Sequence, residues 1–442
     1  MSRITMLVIN PMTSDTRVDK EAASLAEDGH DVAVVATASP GLPSEESRQG
    51  FTIRRLPYRR VGKQAVTAPL QRARGRRRQA LDTVTAVPAN GARAMLVHRR
   101  HDAAVAAGHA LRAVGGVALR TARSRQLELD YWHSIGSRVL DFHTPDVVHA
   151  HDLGTLAAAV RIADRARGPQ RPRVVYDSHE LYVEQQTKWL PRERRMWALH
   201  ERRWIRRADA VITVSPGIAA ELQRRYHLAE TPTLVMNTPS LRPRRSASLP
   251  ATVGEDLRAD LGIATTTPLA VYVGTVKPGR GVDRLLLAMQ HAGWHLALVG
   301  AGNGSHVEET QRSARELGVA GRLHIVPPVP ASLLPRWIAT ADVGVHPMEP
   351  TCMNHELALP NKLFDYVFAG LPVAVSNLPE MRAMVMDNGL GRVFDPNDPR
   401  SIATEITSAM DMGHGLAPDQ LLEELSWENQ ASRLKDLYRG LA

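Results

Sequence analysis

The strongest constraint on this chain is an alternation: apolar segments of strand length trade places with amphipathic segments of helix length, twice over, with a break between. The first run opens with ITMLVI, a polar loop over residues 10–16, an amphipathic stretch from about Val18 to Asp28, then Gly29-His30 and DVAVVAT. Short apolar runs bounded by turn residues are strands buried on both faces, so this is a βαβ unit opening a parallel sheet. The pattern returns in DVVHAH, RVVYDSHE, a polar helix over 191–208, DAVITVS, a helix over 216–226 and TLVMN. From Thr238 to Glu255 the sequence TPSLRPRRSASLPATVGE loses periodicity and fills with Pro, Ser and Arg, the composition of a linker.

A second set follows: LAVYVGT, a helix over 281–292, HLALVGAG, a helix over 305–317, RLHIVPP, a helix over 333–340, DVGVHP, the segment LPNKLFDYVFAGL and PVAVSN. The reading is two doubly wound α/β domains facing across a cleft, with ligands beyond the carboxyl ends of the strands. The expected bounds are 1–238, a linker over 239–255, a second domain over 256–419, and a closing helix within 420–442 that packs back at the domain junction.

A chain of 442 residues, 43% hydrophobic and 23% charged, has the composition of a globular protein with two cores rather than a disordered one. Its single cysteine, Cys352, excludes an intrachain disulfide framework and fits a reducing compartment. MSRITMLVINPMTSD is too briefly apolar for a signal h-region, and no stretch reaches the roughly 18 apolar residues of a membrane span. The expectation is a cytoplasmic protein.

The net charge of +9 is local, because Arg54 to Arg125 holds 17 Lys/Arg against only Asp82 and Asp102, which leaves the remainder acidic. This basic stretch, within an insertion over about 54–143, admits three accounts. It docks on anionic lipid at the inner face of the membrane, binds an anionic soluble acceptor, or is surface arginine of compositional origin. Nucleic acid is disfavoured, since RARGRRR has no interleaved aromatics for stacking.

Two loops suit an anionic ligand. In YVGTVKPGRGVDRLL, Gly274 ends a strand, and Lys277 and Arg280 flank Gly279 and Gly281 at a helix start, where free N–H groups and cations attract anions. The alternative is a βα loop with solvated charges. VGAGNG, with Gly300, Gly302 and Gly304, lets backbone approach a ligand closely or simply turns the chain. No GxxxxGK[ST] is present, and the glycines lack dinucleotide-fingerprint spacing, which disfavours a P-loop ATPase or ordinary dehydrogenase. Nor is there CxxC or HExxH spacing for a metal; His149 and His151 share a strand face without a third partner in view.

In LPNKLFDYVFAGLPVAV, Pro360 suits a first helical turn and Gly370 a C-terminal cap, predicting a helix over 361–369. Leu363, Phe364, Val367 and Phe368 would face the core. Lys362 and Asp365, three apart, are neighbours on the other side near the helix start. A cation and helix N–H groups suit a diphosphate, and a carboxylate suits a ribose diol; the plainer reading is a surface ion pair.

Taken in order, DTRVDKEAASLAEDGHDVAVVA, DVVHAHDLGTL, VVYDSHELYVEQ, ADAVITVSPGIAAEL, YVGTVKPGRGVDRLL, LVGAGNG, ADVGVHP, LPNKLFDYVFAGLPVAVSNLPEM and SWENQASRLKDLY resemble glycosyltransferase family 4. That family consists of retaining, nucleotide-sugar-dependent enzymes with two Rossmann-like domains, the GT-B architecture. Only about 54–143 lacks a counterpart. The resemblance implies that Asp365 holds the ribose hydroxyls at the second glutamate of a Glu-x7-Glu motif and that Lys362 and Arg280 meet the diphosphate, with Lys277 sharing that work. Gly274, Gly302, Asn361 and Leu363 would complete the nucleotide site, and His179 would contact the donor sugar near the reacting carbon, with Glu180 and Glu184 less firmly placed. The sequence departs from the family pattern at Leu357, eight residues before Asp365, where a glutamate is usual. Glu356 or Glu349 could substitute for it. Thr275 stands near the position of a usual arginine, and the first-domain loop NPMTSDTR lacks paired glycines.

The expected reaction is transfer of a hexose or N-acetylhexosamine from an NDP-sugar, UDP favoured, to an unidentified acceptor with retention at the anomeric carbon. Protein cations and helix N-termini would stabilise the leaving diphosphate, with no metal required and no cofactor other than the donor substrate. The competing readings are a catalytically silent nucleotide-sugar-binding scaffold and a nucleotide-sugar 2-epimerase; the latter needs a cluster of acid/base carboxylates that the sequence does not display.

Overall fold

A computed structural model describes residues 1–58, 131–168, 170–185, 191–241, 254–302 and 304–441. Of the basic segment from Arg54 to Arg125, only 54–58 are among them; residues 242–253 of the expected linker also lie outside.

The chain builds two parallel-sheet α/β domains. The first sheet contains β1 (Arg3–Leu7), β2 (Asp31–Thr37), β3 (Glu45–Arg48), β4 (Phe51–Leu56), β5 (Val147–His151), β6 (Arg173–Ser178), β7 (Ala210–Thr213) and β8 (Thr233–Leu234). Their order is β3-β4-β2-β1-β5-β6-β7-β8. Strand β1 runs parallel to β2 and β5, β2 to β4, β6 to β7 and β7 to β8, whereas β3 is antiparallel to β4. The opening βαβ unit forms as expected, with α1 (Thr16–Glu27) capped by the Asp15 carboxylate accepting from Val18 N–H at 3.2 Å. Three further helices belong to this half: α2 (Leu153–Arg165), α3 (Pro191–Ile205) and α4 (Pro216–Tyr226).

The second sheet contains β9 (Leu269–Val273), β10 (His295–Val299), β11 (Leu323–Val326), β12 (Val343–His346), β13 (Val373–Ser376) and β14 (Gly391–Phe394), in the order β11-β10-β9-β12-β13-β14. All its pairs are parallel. Its helices are α5 (Leu257–Leu261), α6 (Val282–Ala288), α7 (Ser305–Glu316), α8 (Leu334–Ile338), α9 (Met353–Leu357), α10 (Asn361–Phe368), α11 (Pro379–Asp387), α12 (Pro399–Met410), α13 (Asp419–Leu425) and α14 (Trp427–Leu441). Both faces are covered. Leu269 and Val271 of β9 pack with Trp337, Phe364 and Tyr366 on one side, and Ala270 and Tyr272 pack with Leu285, Trp294, Ile402 and Ile406 on the other. This double burial explains why the strands read as unbroken apolar runs. The chain reverses its direction of travel across the sheet between β9 and β12, the switch point at which loops splay and leave a crevice.

By contact the chain separates into two compact units, one of residues 1–13, 30–174 and 188–208, the other of 14–29, 175–187 and 209–442. The second unit therefore includes α1 and the loop after β6. Within it, α14 is fastened to α1: Trp427 Nε1 donates to Ser24 Oγ at 3.1 Å, and Arg439 pairs with Asp28 at 3.2 Å. Trp427 N–H also donates to the Pro239 carbonyl at 2.9 Å. The single closing helix expected over 420–438 is instead two. Ser426 adopts an extended ψ of 152°, and its hydroxyl donates to Glu423 O at 2.7 Å while accepting from Asn429 N–H at 3.3 Å. One serine thus ends α13 and caps α14. Among the described residues no helix is long and apolar enough to cross a membrane.

Candidate active site

The site grows from the loops after β9 and β12. Beyond β9, Gly274 adopts φ +121°, a conformation that favours glycine, and a Cβ there would stand 2.8 Å from the Lys362 Nζ. The loop closes at Gly281 (φ +69°), the N-cap of α6, where the Pro347 carbonyl after β12 fills the place a side chain would take. Glu349 N–H donates to the Gly279 carbonyl at 3.3 Å, tying the two loops together.

Helix α10 brings the charges. It begins after Pro360 with no side-chain cap, and ends in a Schellman turn in which Gly370 (φ +75°) N–H bonds Val367 O and Leu371 N–H bonds Tyr366 O, each at 3.0 Å. Leu363, Phe364, Tyr366 and Val367 are buried, while Phe368 is only partly so. Tyr366 takes the place expected of Phe368 because its hydroxyl has work in the sheet. It accepts from Val273 N–H at 2.8 Å and donates to Val345 O at 3.1 Å, linking β9 to β12 over Gly344, where any Cβ would overlap its ring.

On the polar side the Lys362 ammonium lies 4.4 Å from the Tyr272 ring centre and donates to its hydroxyl at 3.3 Å. Burial, and then the charge of Arg280, pull Lys362 down to about 7 against a weaker upward pull from Asp365. Asp365 is pushed up to about 7, chiefly by burial, with Lys20 and Lys362 opposing. Lys20, on α1, donates to the Thr238 carbonyl at 2.7 Å and lies 4.5 Å from the Trp427 ring centre; burial and Arg17 lower it to about 7. Two ammonium groups and a carboxylate thus act on one another electrostatically in a partly buried place. Lys362 and Asp365 are each only partly exposed.

His346, the last residue of β12, is completely buried, neither ring nitrogen is bonded among the described residues, and its ring is near-parallel to Tyr272. Burial, followed by Lys362, Arg280 and His355, holds it well below the usual histidine range, so it adds no further charge.

His179 lies in the loop after β6, its Nε2 2.9 Å from Asp177 Oδ2. Asp177 is itself gripped by Arg17 of α1 through bonds of 2.8 and 2.7 Å, and Arg17 also donates to Val235 O at 2.6 Å. Both partners are almost wholly buried. The pair anchors the base of the His179 loop in the second unit.

Gly274, Lys362, Arg280 and Asp365 therefore share one neighbourhood, with Gly302 (φ +87°) next to Thr275, to which an added Cβ would come within 3.4 Å. Lys277 and Asn361 are exposed at the loop and the helix start, and the Leu363 side chain is fully buried in the core. Glu349 is raised by burial and by Asp283, which places it toward the start of α6; Glu356 is half-buried. Leu357 O accepts from Ser215 Oγ at 2.5 Å. In the other unit, His149 and His151 are buried and stacked at 4.2 Å. Sequence reasoning missed Tyr272, Tyr366, Lys20 and the Arg17–Asp177 pair. The one available signal was DTRVDKEA, in which Arg17 and Glu21 stand among the apolar positions of the helix.

Residues 253–423 match the family described as "Glycosyl transferases group 1", and residues 73–238 match "Glycosyltransferase Family 4". The chain is 31% identical over 208 residues to a D-inositol 3-phosphate glycosyltransferase of Thermomonospora curvata, covering 42% of this chain and 46% of that one. It is 27% identical over 187 residues to a GDP-mannose-dependent alpha-(1-6)-phosphatidylinositol monomannoside mannosyltransferase of Mycolicibacterium smegmatis, covering 39% of this chain and 48% of that one. These matches span about half the length of the relatives. Among solved structures, sucrose-phosphate synthase from Thermosynechococcus elongatus superimposes with a TM-score of 0.70 at 17% identity, over 100% and 99% of the two chains. Anabaena HepE in complex with UDP and glucose does so at 0.63 and 13% identity, over the whole of both. At such identities the likeness shows the shared GT-B fold.

Proposed function

Because the chain belongs to the family 4 glycosyltransferases, we propose that it moves a hexose or N-acetylhexosamine from a nucleoside-diphosphate sugar, UDP favoured, to a hydroxyl acceptor with retention at the anomeric carbon. The observation that carries this reading is the Lys362 ammonium, seated on the Tyr272 ring against Gly274 with Asp365 one turn further along α10. The ammonium and Arg280 meet the diphosphate, with Lys277 reaching in from the exposed loop. The uncapped start of α10 adds N–H donors, and Asp365 accepts from the ribose hydroxyls.

In this reading the bond from the anomeric carbon to the diphosphate oxygen breaks, the bond to the acceptor oxygen forms on the same face, and the acceptor proton passes to the departing phosphate. Charge gathers on that phosphate as the bond breaks, so Lys362 and Arg280 stabilise the transition state more than the bound donor. His179, held by Asp177, orients the sugar. This role for protein cations calls on no metal ion.

The relatives act, by name, on D-inositol 3-phosphate and on a phosphatidylinositol mannoside, which favours an acceptor carrying inositol phosphate, free or in a glycolipid. The cationic segment from Arg54 to Arg125 would then bring the protein to an anionic membrane. The test is to incubate the purified protein with UDP- and GDP-sugars, with and without D-inositol 3-phosphate, and to follow nucleoside diphosphate release. Release that rises with acceptor supports the reading, and failure to bind any nucleotide sugar contradicts it.

A further inference from the structure

The short helix α9 ends at Leu357, eight residues before Asp365, and it is built as a clamp. Asn354 is 8% exposed, and both ends of its amide are used in the second unit. Its Oδ1 accepts from Leu181 N–H at 2.7 Å, and its Nδ2 donates to Glu180 Oε2 at 3.3 Å. The donor–acceptor pattern fixes the amide orientation, since a backbone N–H needs an acceptor and a carboxylate needs a donor. At the other end of α9, Leu357 O takes the Ser215 hydroxyl.

The residues that Asn354 holds follow directly on His179. The same segment is secured from below by Thr213 Oγ1 donating to Ser178 O and Ser178 Oγ donating to Glu180 O, both at 2.9 Å. The His179 ring is therefore constrained on two sides, by Asp177 with Arg17 through the side chain and by Asn354 through the backbone just beyond it.

We infer that Asn354 is a positioning residue, which sets the direction of His179 by gripping Leu181 and Glu180, so that α9 acts as a clamp on the His179 loop. The inference rests on the reading that His179 meets the donor sugar. Asn354→Ala removes both bonds; Asn354→Asp keeps the acceptor for Leu181 but sets two carboxylates face to face. Adding Glu180→Gln to Asn354→Asp keeps the Leu181 bond and restores the other with donor and acceptor exchanged.

The experiment measures turnover with UDP-glucose and GDP-mannose, UDP binding by calorimetry, and the His179 Cε1 resonance in ¹³C-histidine-labelled protein, assigned with His179→Ala. Both single variants are expected to lose about tenfold to a hundredfold in kcat, the effect of a small misplacement at a reacting centre, while UDP affinity stays within about twofold. The His179 resonance should move in both and return, with kcat, in the double variant. An unmoved resonance in Asn354→Ala, or no recovery in the double variant, overturns the inference. A moved and rescued resonance with His179→Ala fully active would uphold the positioning and overturn instead the role given to His179.

Discussion

The Lys362 ammonium sits 4.4 Å from the centre of the Tyr272 ring and 3.3 Å from its hydroxyl, with the backbone of Gly274 closing over it. A lysine held this way has given up much of its hydration before any ligand arrives, so an anion meets a cation that is cheap to desolvate further. Replacing Lys362 by Ala should weaken UDP and GDP by about tenfold to a hundredfold, as expected for loss of a charge-assisted hydrogen bond worth about 1.5–3 kcal/mol. Calorimetric titration with each nucleotide measures it, and unchanged affinity for both would remove Lys362 from the site.

Gly274→Ala should act on the same ammonium without touching its charge. The φ of +121° disfavours alanine, and the new methyl group would press on Nζ. Backbone strain of about 1–3 kcal/mol is expected in the thermal melt, together with weaker nucleotide binding. A melt lowered with nucleotide affinity untouched would show that the close approach matters to folding alone.

Binding should depend on pH with a maximum near neutrality. Lys362 loses its proton at about 7 in the empty site because burial, then Arg280, favour the neutral amine. The diphosphate of a nucleotide sugar stays ionised from pH 6 to 9 and favours the charged amine, so affinity falls several-fold from pH 7 to 8 and proton uptake accompanies binding at pH 8. On the acid side Asp365, raised to about 7 by burial, gains a proton and becomes a weaker acceptor for ribose hydroxyls. Calorimetry in buffers of different ionisation enthalpy reads the uptake directly; a flat profile would deny Lys362 this role.

The buried Arg17–Asp177 pair should matter to stability first and catalysis second. Arg17→Met leaves a carboxylate buried without its main partner, a loss of about 3–5 kcal/mol by analogy with other broken buried pairs. Chemical denaturation measures it. Arg17→Met with Asp177→Asn should recover part of the stability while turnover stays low, because His179 has then lost its anion.

Much of this arrangement was legible in LPNKLFDYVFAGL, where Pro360 and Gly370 marked the ends of a helix and the spacing of Lys362 and Asp365 put both on its polar side. Periodicity could not tell Phe368 from Tyr366, since either fills a core and only the tyrosine hydroxyl has partners in β9 and β12. Ser426 inside an amphipathic run looked like one polar position of a single helix, because a capping serine and a surface serine differ only in backbone angle. Lys20 and Asn354 were illegible for another reason. Each meets residues far away in the chain, Asp365 and Thr238 for one and Leu181 for the other, and such meetings are settled by packing rather than by local pattern.

The most direct test of the account is release of nucleoside diphosphate by the unmodified protein and by Asp365→Asn, with UDP-glucose and GDP-mannose each offered alongside D-inositol 3-phosphate. The account predicts acceptor-dependent release by the unmodified protein, and a rise in donor KM for Asp365→Asn as the ribose loses its carboxylate. Equal donor KM in the two proteins, or no release with either sugar, would contradict it.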